Sequence, residues 1–207
     1  MSADILLALA GFAIAASITP GPNNLLVLTS GLHYGVPRTF PLIGGIVAGF
    51  VIMLLVIGIG LGTAIQSNPV LHMAAKALGL AYMLWLAWKV ARSPIGLAAA
   101  DDRGDTRPLS AFAGATFQWV NPKAWAIALS AIAAFSIPND APATLGCITL
   151  VFAIISFLSL SAWAVFGTLM RSLIDTPSKT RAFNIAMALL LIASAAPVAY
   201  DLLAQTG

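Results

Sequence analysis

The sequence contains no glutamate, one cysteine and two histidines, and only 8% of its 207 residues are charged. The lone cysteine, Cys147, excludes an internal disulfide and any relay through paired thiols. Two histidines without glutamate leave little material for a metal site. The formal net charge of +3 is small, and no basic stripe interleaved with aromatic residues indicates nucleic-acid binding. We therefore expect no metal, no cofactor and no nucleic-acid partner.

Apolar residues are abundant instead, since 60% of the chain is hydrophobic and the mean hydropathy is +0.96. A soluble domain usually carries about 25% charged residues. So few polar side chains cannot cover a globule in water, and the composition predicts an integral membrane protein. The first apolar segment follows Asp4 without any positive charge and contains Pro20 and Pro22. These features favour a retained membrane span over a cleaved signal peptide.

Six apolar segments reach the length of about 20 residues that a helix needs to cross a bilayer. They lie at about 5–30, 40–65, 70–91, 110–135, 143–170 and 183–204. We expect an all-α membrane fold of six transmembrane helices in a single domain over residues 1–207. A loop at 33–38 would separate the first two helices. The polar stretch at about 93–109 would link two halves, 1–92 and 110–207.

Positive charges concentrate in alternate connections, as they do in cytoplasmic loops. The first, third and fifth connections and their flanks hold Arg38, Lys89, Arg92, Arg103, Arg107, Arg171, Lys179 and Arg181. Both termini are therefore predicted to lie on the non-cytoplasmic side. Three spans in each half would insert the second half upside down relative to the first.

Each half opens with an apolar segment that is interrupted by proline. The first interruption, residues 19–24, reads TPGPNN, and the second, residues 118–123, reads QWVNPK. Proline lacks a backbone N–H and clashes with the preceding turn, so it breaks a helix. Such a break is tolerated in hydrocarbon only where the freed backbone faces protein or a polar cavity. Paired breaks predict an inverted three-plus-three repeat with a transporter binding site between its halves.

The backbone of the first break is expected to supply acceptors. Pro20 and Pro22 remove two donors and thereby free the carbonyls of Ala16 and Ile18. These carbonyls are candidate partners for a substrate ammonium group.

The residues after the first break are expected to bind an anion. A half-helix that begins near Asn23 would leave the N–H groups of Asn24 and Leu25 without intrahelical partners, and its partial positive charge suits a carboxylate. Gly21 allows close approach to the backbone. The alternative is a proline kink whose asparagines bond to neighbouring helices.

The second break places a lysine deep in an apolar segment. Pro122 would free the carbonyl of Gln118, and Asn121 and Lys123 lie close to the middle of the fourth span. An ionisable side chain at that depth costs at least about 2.5–3.5 kcal/mol, which indicates a functional role. Lys123 could pair with a substrate carboxylate or take part in proton coupling. The alternative is that it snorkels to the membrane surface.

No catalytic residue is predicted. The predicted substrate-binding residues are Pro20, Gly21, Pro22, Asn23, Asn24, Gln118, Asn121, Pro122 and Lys123. Weaker candidates lie in other spans. Tyr82 is a candidate gating residue, Ser156, Ser159 and Ser161 could face a cavity or bond to their own helix, and Gly45 with Gly49 favours close helix packing or a dimer face.

Several of these motifs together resemble the LysE/RhtB family of amino-acid exporters. They are TPGPN at 19–23 followed by Gly31 and Tyr34-Gly35, KALGLAYMLW at 76–85, and FQWVNPKA at 117–124. The resemblance extends over essentially the whole chain. It implies a small carrier in the bacterial cytoplasmic (inner) membrane that exports amino acids or related metabolites, uses the proton gradient and forms a homodimer.

The substrate is expected to be a neutral zwitterion, because no acidic residue lies deep within a predicted span to balance a cationic side chain. We expect alternating access about a site at the two breaks, with the proton carried either by Lys123 or by the substrate amine. The alternatives are an exporter of basic amino acids or of another metabolite, an intramembrane enzyme, and a passive channel. An enzyme would need a positioned nucleophile and base or metal ligands, and the sequence has no such motif.

Overall fold

The computed structural model describes residues 1–61, 69–92, 108–137, 141–174 and 176–206. Within these ranges the backbone is helical and contains no β-strand, which confirms the all-α prediction. Its helices are α1 Ala3–Ile18, α2 Pro22–Val56, α3 Pro69–Arg92, α4 Ala111–Phe117, α5 Pro122–Phe135, α6 Ala141–Met170 and α7 Pro177–Thr206. A π-helical turn at Ile57–Leu61 follows α2, and a 3-10 turn at Gln118–Val120 follows α4. Most of the predicted linker, residues 93–107, lies outside the described residues.

Three described segments are long and apolar enough to cross a membrane, namely Pro22–Gly60, Ala141–Met170 and Ser178–Ala196. Two shorter apolar helices, Ala3–Ile18 and Pro122–Phe135, each end or begin at a proline break. Apolar helices therefore dominate the described fold, as expected of a membrane protein. The count of six spans stays a prediction.

Helix α2 reverses direction at Gly35, whose φ of 77° and ψ of 167° are not helical. Glycine adopts such a φ without the steric cost that a side chain would bring. The hydroxyls of Ser30 and Thr39 lie 2.8 Å apart, whereas nine residues of straight helix would span about 13.5 Å. We call the two antiparallel arms α2a (22–34) and α2b (36–56). The reversal lies within the predicted connection at 33–38, but that connection is not a loop, because Gly35 alone makes the turn and helical backbone continues on both sides.

Glycines bring α2b into backbone contact with α4. A Cβ atom at Gly45 would lie 1.9 Å from the carbonyl oxygen of Ala111, and one at Gly49 would lie 2.5 Å from that of Ala115. Small residues allow such close approach in membranes, where van der Waals packing replaces the hydrophobic effect as the main attraction between helices. The sequence left close helix packing or a dimer face as alternatives for Gly45 and Gly49, and in the structure both glycines pack against α4 of the same chain.

A second backbone contact joins α2a to α6. A Cβ atom at Gly31 would lie 2.2 Å from the carbonyl oxygen of Ala164, and one at Gly167 would lie 2.0 Å from that of Leu28. Each short arm next to a proline break therefore packs against a long helical arm from the other half of the sequence.

Side-chain packing surrounds these backbone contacts. One buried cluster joins α1, α2b, α5 and α6 around Leu9, Met53, Ala128 and Phe152. A second cluster joins α2a, α3 and α7 and includes Leu25, Leu28, Leu86, Ala87, Val90, Ala188 and Leu191. Leu25, just after the first break, belongs to the second cluster, and Ala124, just after the second break, belongs to the first.

Candidate functional site

Both breaks have the same local construction. α1 ends at Ile18, and α2 begins at Pro22 with Gly21 as its N-cap residue. After the 3-10 turn, α5 begins at Pro122 with Asn121 as its N-cap, and the Asn121 side chain accepts a hydrogen bond from the N–H of Lys123 at 3.1 Å. Proline is well suited to the first helical position, where no intrahelical N–H bond is lost. These two prolines therefore begin new helices.

A reciprocal amide pair joins the two breaks. Asn23 Nδ2 donates to Gln118 Oε1 at 2.8 Å, and Gln118 Nε2 donates to Asn23 Oδ1 at 3.1 Å. Gln118 Nε2 also donates to the carbonyl of Gly114 at 2.9 Å, and the Gln118 side chain is fully buried. The pair satisfies polar groups that would otherwise be costly to bury. Segments 95 residues apart are thereby fixed to each other.

Lys123 reaches from the second break into the first. Its Nζ donates to the carbonyls of Thr19 and Pro20, the latter at 3.2 Å. The side chain crosses directly over Gly21, where a Cβ atom would lie 2.8 Å from Lys123 Cδ. The absence of a side chain at Gly21 thus makes room for the lysine, and the half-buried Lys123 side chain lies against backbone oxygens of the first break.

Other side chains cap the carboxyl end of α1. Asn24 Nδ2 donates to the carbonyls of Ser17 at 2.9 Å and Thr19 at 3.1 Å, with a longer contact of 3.5 Å to Ile18. Ser159 Oγ donates to the same Ser17 carbonyl at 2.9 Å. The end of α1 is therefore an acceptor-rich edge. Ile18 contributes a carbonyl to it, and Ser17, Thr19 and Pro20 contribute further carbonyls. A substrate ammonium group on the carbonyls of Ala16 and Ile18 stays a prediction.

Two predicted details of the break backbone are wrong. The carbonyl of Gln118 is not free, because the 3-10 turn lets it accept the Asn121 N–H at 3.2 Å. The N–H of Leu25 is also paired, since it donates to the Gly21 carbonyl at 3.0 Å. The half-helix that follows the first break begins at Pro22, next to the predicted start near Asn23. The N–H groups that precede its first intrahelical bond are those of Asn23 and Asn24.

A cavity of about 50 Å³ lies where the breaks meet. Its polar wall consists of Ser17, Gly21, Asn23, Asn24, Asn121, Lys123 and Ser156, and its apolar wall includes Ile46, Val47, Phe50, Ile127, Phe152 and Leu160. One water molecule needs about 10–15 Å³ by this measure, so the cavity holds a few waters and must widen to admit an amino acid. No aspartate is present among the described lining residues.

The structure brings most of the predicted binding residues to this cavity. Gly21, Pro22, Asn23, Asn24, Asn121 and Lys123 line it. The other three, Pro20, Gln118 and Pro122, lie beside it and shape its backbone or hold its walls.

Tyr82 lies away from the cavity wall. Its ring centroid is 5.6 Å from that of Trp85 and 5.8 Å from that of Phe117, at the end of α4. A gating role for Tyr82 stays a prediction.

The three serines of α6 have different roles. Ser156 lines the cavity, Ser159 bonds to α1, and Ser161 donates to the Phe157 carbonyl of its own helix at 2.7 Å. Both alternatives that the sequence left open therefore occur, each at a different serine.

Sequence reasoning missed Ser17 and the two cavity phenylalanines, Phe50 and Phe152. Ser17 lies three residues before Pro20, and a polar residue at the end of a proline-broken helix could have been predicted to face the cavity. The chain has 10 phenylalanines, and nothing in their local sequence distinguishes the two that line the cavity.

Apolar helices that enclose a polar cavity at paired helix breaks are typical of membrane transport proteins. The LysE type translocator family matches residues 14–202, which include both breaks. The cysteine/O-acetylserine efflux protein of Escherichia coli O157:H7 is 32% identical over 202 residues, which cover 97% of this chain and 100% of that protein. The protein of the same name from Escherichia coli strain K12 is 31% identical with the same coverage. No solved structure matches significantly.

The chain belongs to the LysE type translocator family. The resemblance that the motifs indicated is confirmed over nearly the full length. Membership places the protein among membrane translocators for amino-acid efflux, and its similar relatives are efflux proteins by name rather than enzymes.

Proposed function

We propose that this protein is a secondary-active exporter of small neutral amino acids or related zwitterionic metabolites across the bacterial cytoplasmic membrane. The observation that carries the proposal is the Lys123 ammonium group, which lies on the carbonyls of the first break in a cavity whose described lining has no carboxylate. The names of the relatives support the substrate class, since cysteine and O-acetylserine are both small and neutral.

Lys123 occupies the acceptors that a substrate ammonium group would need. Its Nζ bonds to the carbonyls of Thr19 and Pro20, and the Asn23 and Asn24 N–H groups lie at the positive end of α2. A substrate carboxylate attracts the lysine through a charge-assisted hydrogen bond, which is about twice as strong as a neutral one. As Lys123 turns to the carboxylate, the carbonyls become free for the substrate ammonium. A zwitterionic substrate thus pairs its carboxylate with Lys123 and its ammonium group with the carbonyls of Thr19 and Pro20.

The same geometry disfavours basic amino acids. Lysine or arginine would bring a second positive charge into a cavity that already holds Lys123. Like charges about 4 Å apart repel by about 4 kcal/mol at the effective dielectric constant of partly buried protein sites. Without a carboxylate among the described lining residues, nothing offsets that repulsion.

We further propose that α1 with α2a, α2b, α3, α4 with α5, α6 and α7 are the six spans of an inverted repeat. The packing of α1 on α6 and of α4 on α2b supports it, because α1 and α4 each precede a break and a pseudo-twofold axis would give them equivalent contacts. Alternating access would then open the cavity to each side of the membrane in turn. Proton coupling through Lys123 or the substrate amine, a homodimer and non-cytoplasmic termini stay predictions.

The proposal is tested by counterflow in proteoliposomes that are preloaded with single unlabelled amino acids. We expect saturable uptake of labelled O-acetylserine, cysteine, threonine or homoserine into vesicles loaded with the same compound. Lysine and arginine should exchange at the rate of protein-free vesicles. Faster exchange of lysine or arginine than of every neutral amino acid would contradict the substrate class, and flux that does not saturate would indicate a channel.

A further inference from the structure

The apolar wall of the cavity includes two phenylalanines from different helices. Phe50 lies on α2b and Phe152 on α6, with ring centroids 5.6 Å apart and ring planes at 66°. Such an edge-on pair is a favourable aromatic arrangement. Both side chains are buried, with exposed fractions of 7% and 1%. The pair therefore forms a closed part of the wall that faces the same space as Lys123.

These rings have little room to retreat. Phe152 also contacts Phe12 edge-on at 6.1 Å, and Phe12 contacts Phe135 at 5.9 Å. This row of aromatic rings belongs to the buried cluster between α1, α2b, α5 and α6. Because packed interiors resist compression, the phenylalanine wall sets a firm limit on whatever enters the cavity.

The face of α6 that carries Phe152 also carries a hydroxyl group, that of Ser156. Ser156 follows Phe152 by four residues, so the two side chains lie on one face of the helix, and both line the cavity. Ser156 Oγ is 3.4 Å from Ser17 Oγ. A substrate side chain directed at this wall would contact mainly carbon atoms, with the hydroxyl groups of Ser17 and Ser156 at one edge.

We propose that Phe50 and Phe152 close the side-chain subsite of the transported amino acid and set its upper size. The polar wall binds the ammonium and carboxylate groups, so the variable side chain is directed to the phenylalanine wall. The inference rests on the proposed function and specifies it further: substrates carry a short side chain, apolar or ending in a hydroxyl, thiol or ester. Aromatic side chains such as that of phenylalanine, which is larger than the side chain of O-acetylserine, are excluded by contact with the rings.

The experiment is counterflow with the Phe50→Ala variant, measured in parallel for O-acetylserine and phenylalanine. We expect the ratio of phenylalanine to O-acetylserine exchange to rise at least about tenfold, since one methylene group in an apolar pocket already changes discrimination about 10- to 200-fold. The matched control is Phe40→Ala on the same helix, because Phe40 is 44% exposed and lies outside the cavity wall. Its ratio should equal that of the wild type.

An unchanged ratio in a Phe50→Ala variant that still exchanges O-acetylserine would overturn the inference and leave the proposed function intact. Failure of the wild type to exchange any neutral amino acid would instead overturn the proposed function, and the inference with it. If Phe50→Ala does not fold, Phe50→Leu removes less volume and should shift the ratio in the same direction. A wild-type ratio in folded Phe50→Leu would then count against the inference.

Discussion

Two neighbouring glycines in α2b offer a sharp test of the packing that positions the second break. A Cβ atom at Gly45 would lie 1.9 Å from the Ala111 carbonyl oxygen, whereas one at Gly44 would meet nothing within 4 Å. Ordinary contact begins at 3.4 Å, so α4 must retreat by about 1.5 Å to accept Gly45→Ala. Since α4 leads directly into Gln118, the shift also lengthens its hydrogen bonds to Asn23.

The cost follows from two opposing effects. Overpacking typically costs about 1–3 kcal/mol, and a clash with backbone atoms should cost an amount near the upper end of this range. Replacing a helical glycine by alanine stabilises the helix by about 0.5–1 kcal/mol, which offsets part of that cost. We expect Gly45→Ala to lower the free energy of unfolding by about 2 kcal/mol, by these same estimates. Gly44→Ala should leave the free energy of unfolding unchanged or raise it slightly.

The measurement is reversible unfolding in mixed micelles with increasing SDS, with both variants compared to the wild type. Transport by Gly45→Ala should also decrease, because the second break is displaced. Equal stability of the two variants would refute the described contact between α2b and α4.

Two further predictions concern the breaks themselves. Asn23→Ala should destabilise the protein by about 1–3 kcal/mol, because it leaves the buried amide of Gln118 without this partner. Gln118→Ala leaves the half-buried amide of Asn23 unpaired and should cost less. The double variant should cost about 1 kcal/mol less than the sum, and additive costs in a double-mutant cycle would contradict the amide pair. Gly21→Ala should fold normally, because the Gly21 backbone at φ −168° suits alanine, yet the new Cβ atom displaces Lys123. Counterflow should then fall about tenfold, the equivalent of one charged hydrogen bond, while Gly11→Ala, with nothing within 4 Å, transports normally. Normal counterflow by Gly21→Ala would speak against a role for this contact.

The helical class and the positions of the breaks could be predicted because they depend on local chemistry. Long apolar segments require helices in a membrane, and Pro22 and Pro122 fit the first position of a helix, whereas an interior proline loses a hydrogen bond and kinks or breaks the helix. The reversal at Gly35 was harder to locate. A polar stretch around a glycine indicates a turn, yet only the backbone torsion reveals that one residue suffices and that α2 is helical on both sides of it.

The sequence predicts the charged and proline-linked residues of the candidate site, but it does not predict which residues those side chains contact. Lys123 stood out because a cation deep in an apolar segment is costly. Its acceptors, and the pairing of Asn23 with Gln118 across 95 residues, depend on how the helices cross. The carbonyl of Gln118 was predicted to be free because the 3-10 turn that pairs it has no strong local signature. Phe50 and Phe152 look like any core residue until the cavity is known.

The most direct test of the account is counterflow of O-acetylserine by Lys123→Met, with Lys179→Met as the control at an exposed lysine outside the cavity. A hydrogen bond to a charged group contributes about 1.5–3 kcal/mol, so removal of the Lys123 ammonium should lower the rate at limiting substrate about 10- to 150-fold. The control should transport like the wild type, and both variants should give the same monodisperse elution profile. Wild-type exchange by folded Lys123→Met would contradict the claim that Lys123 binds the substrate carboxylate where the two broken helices meet.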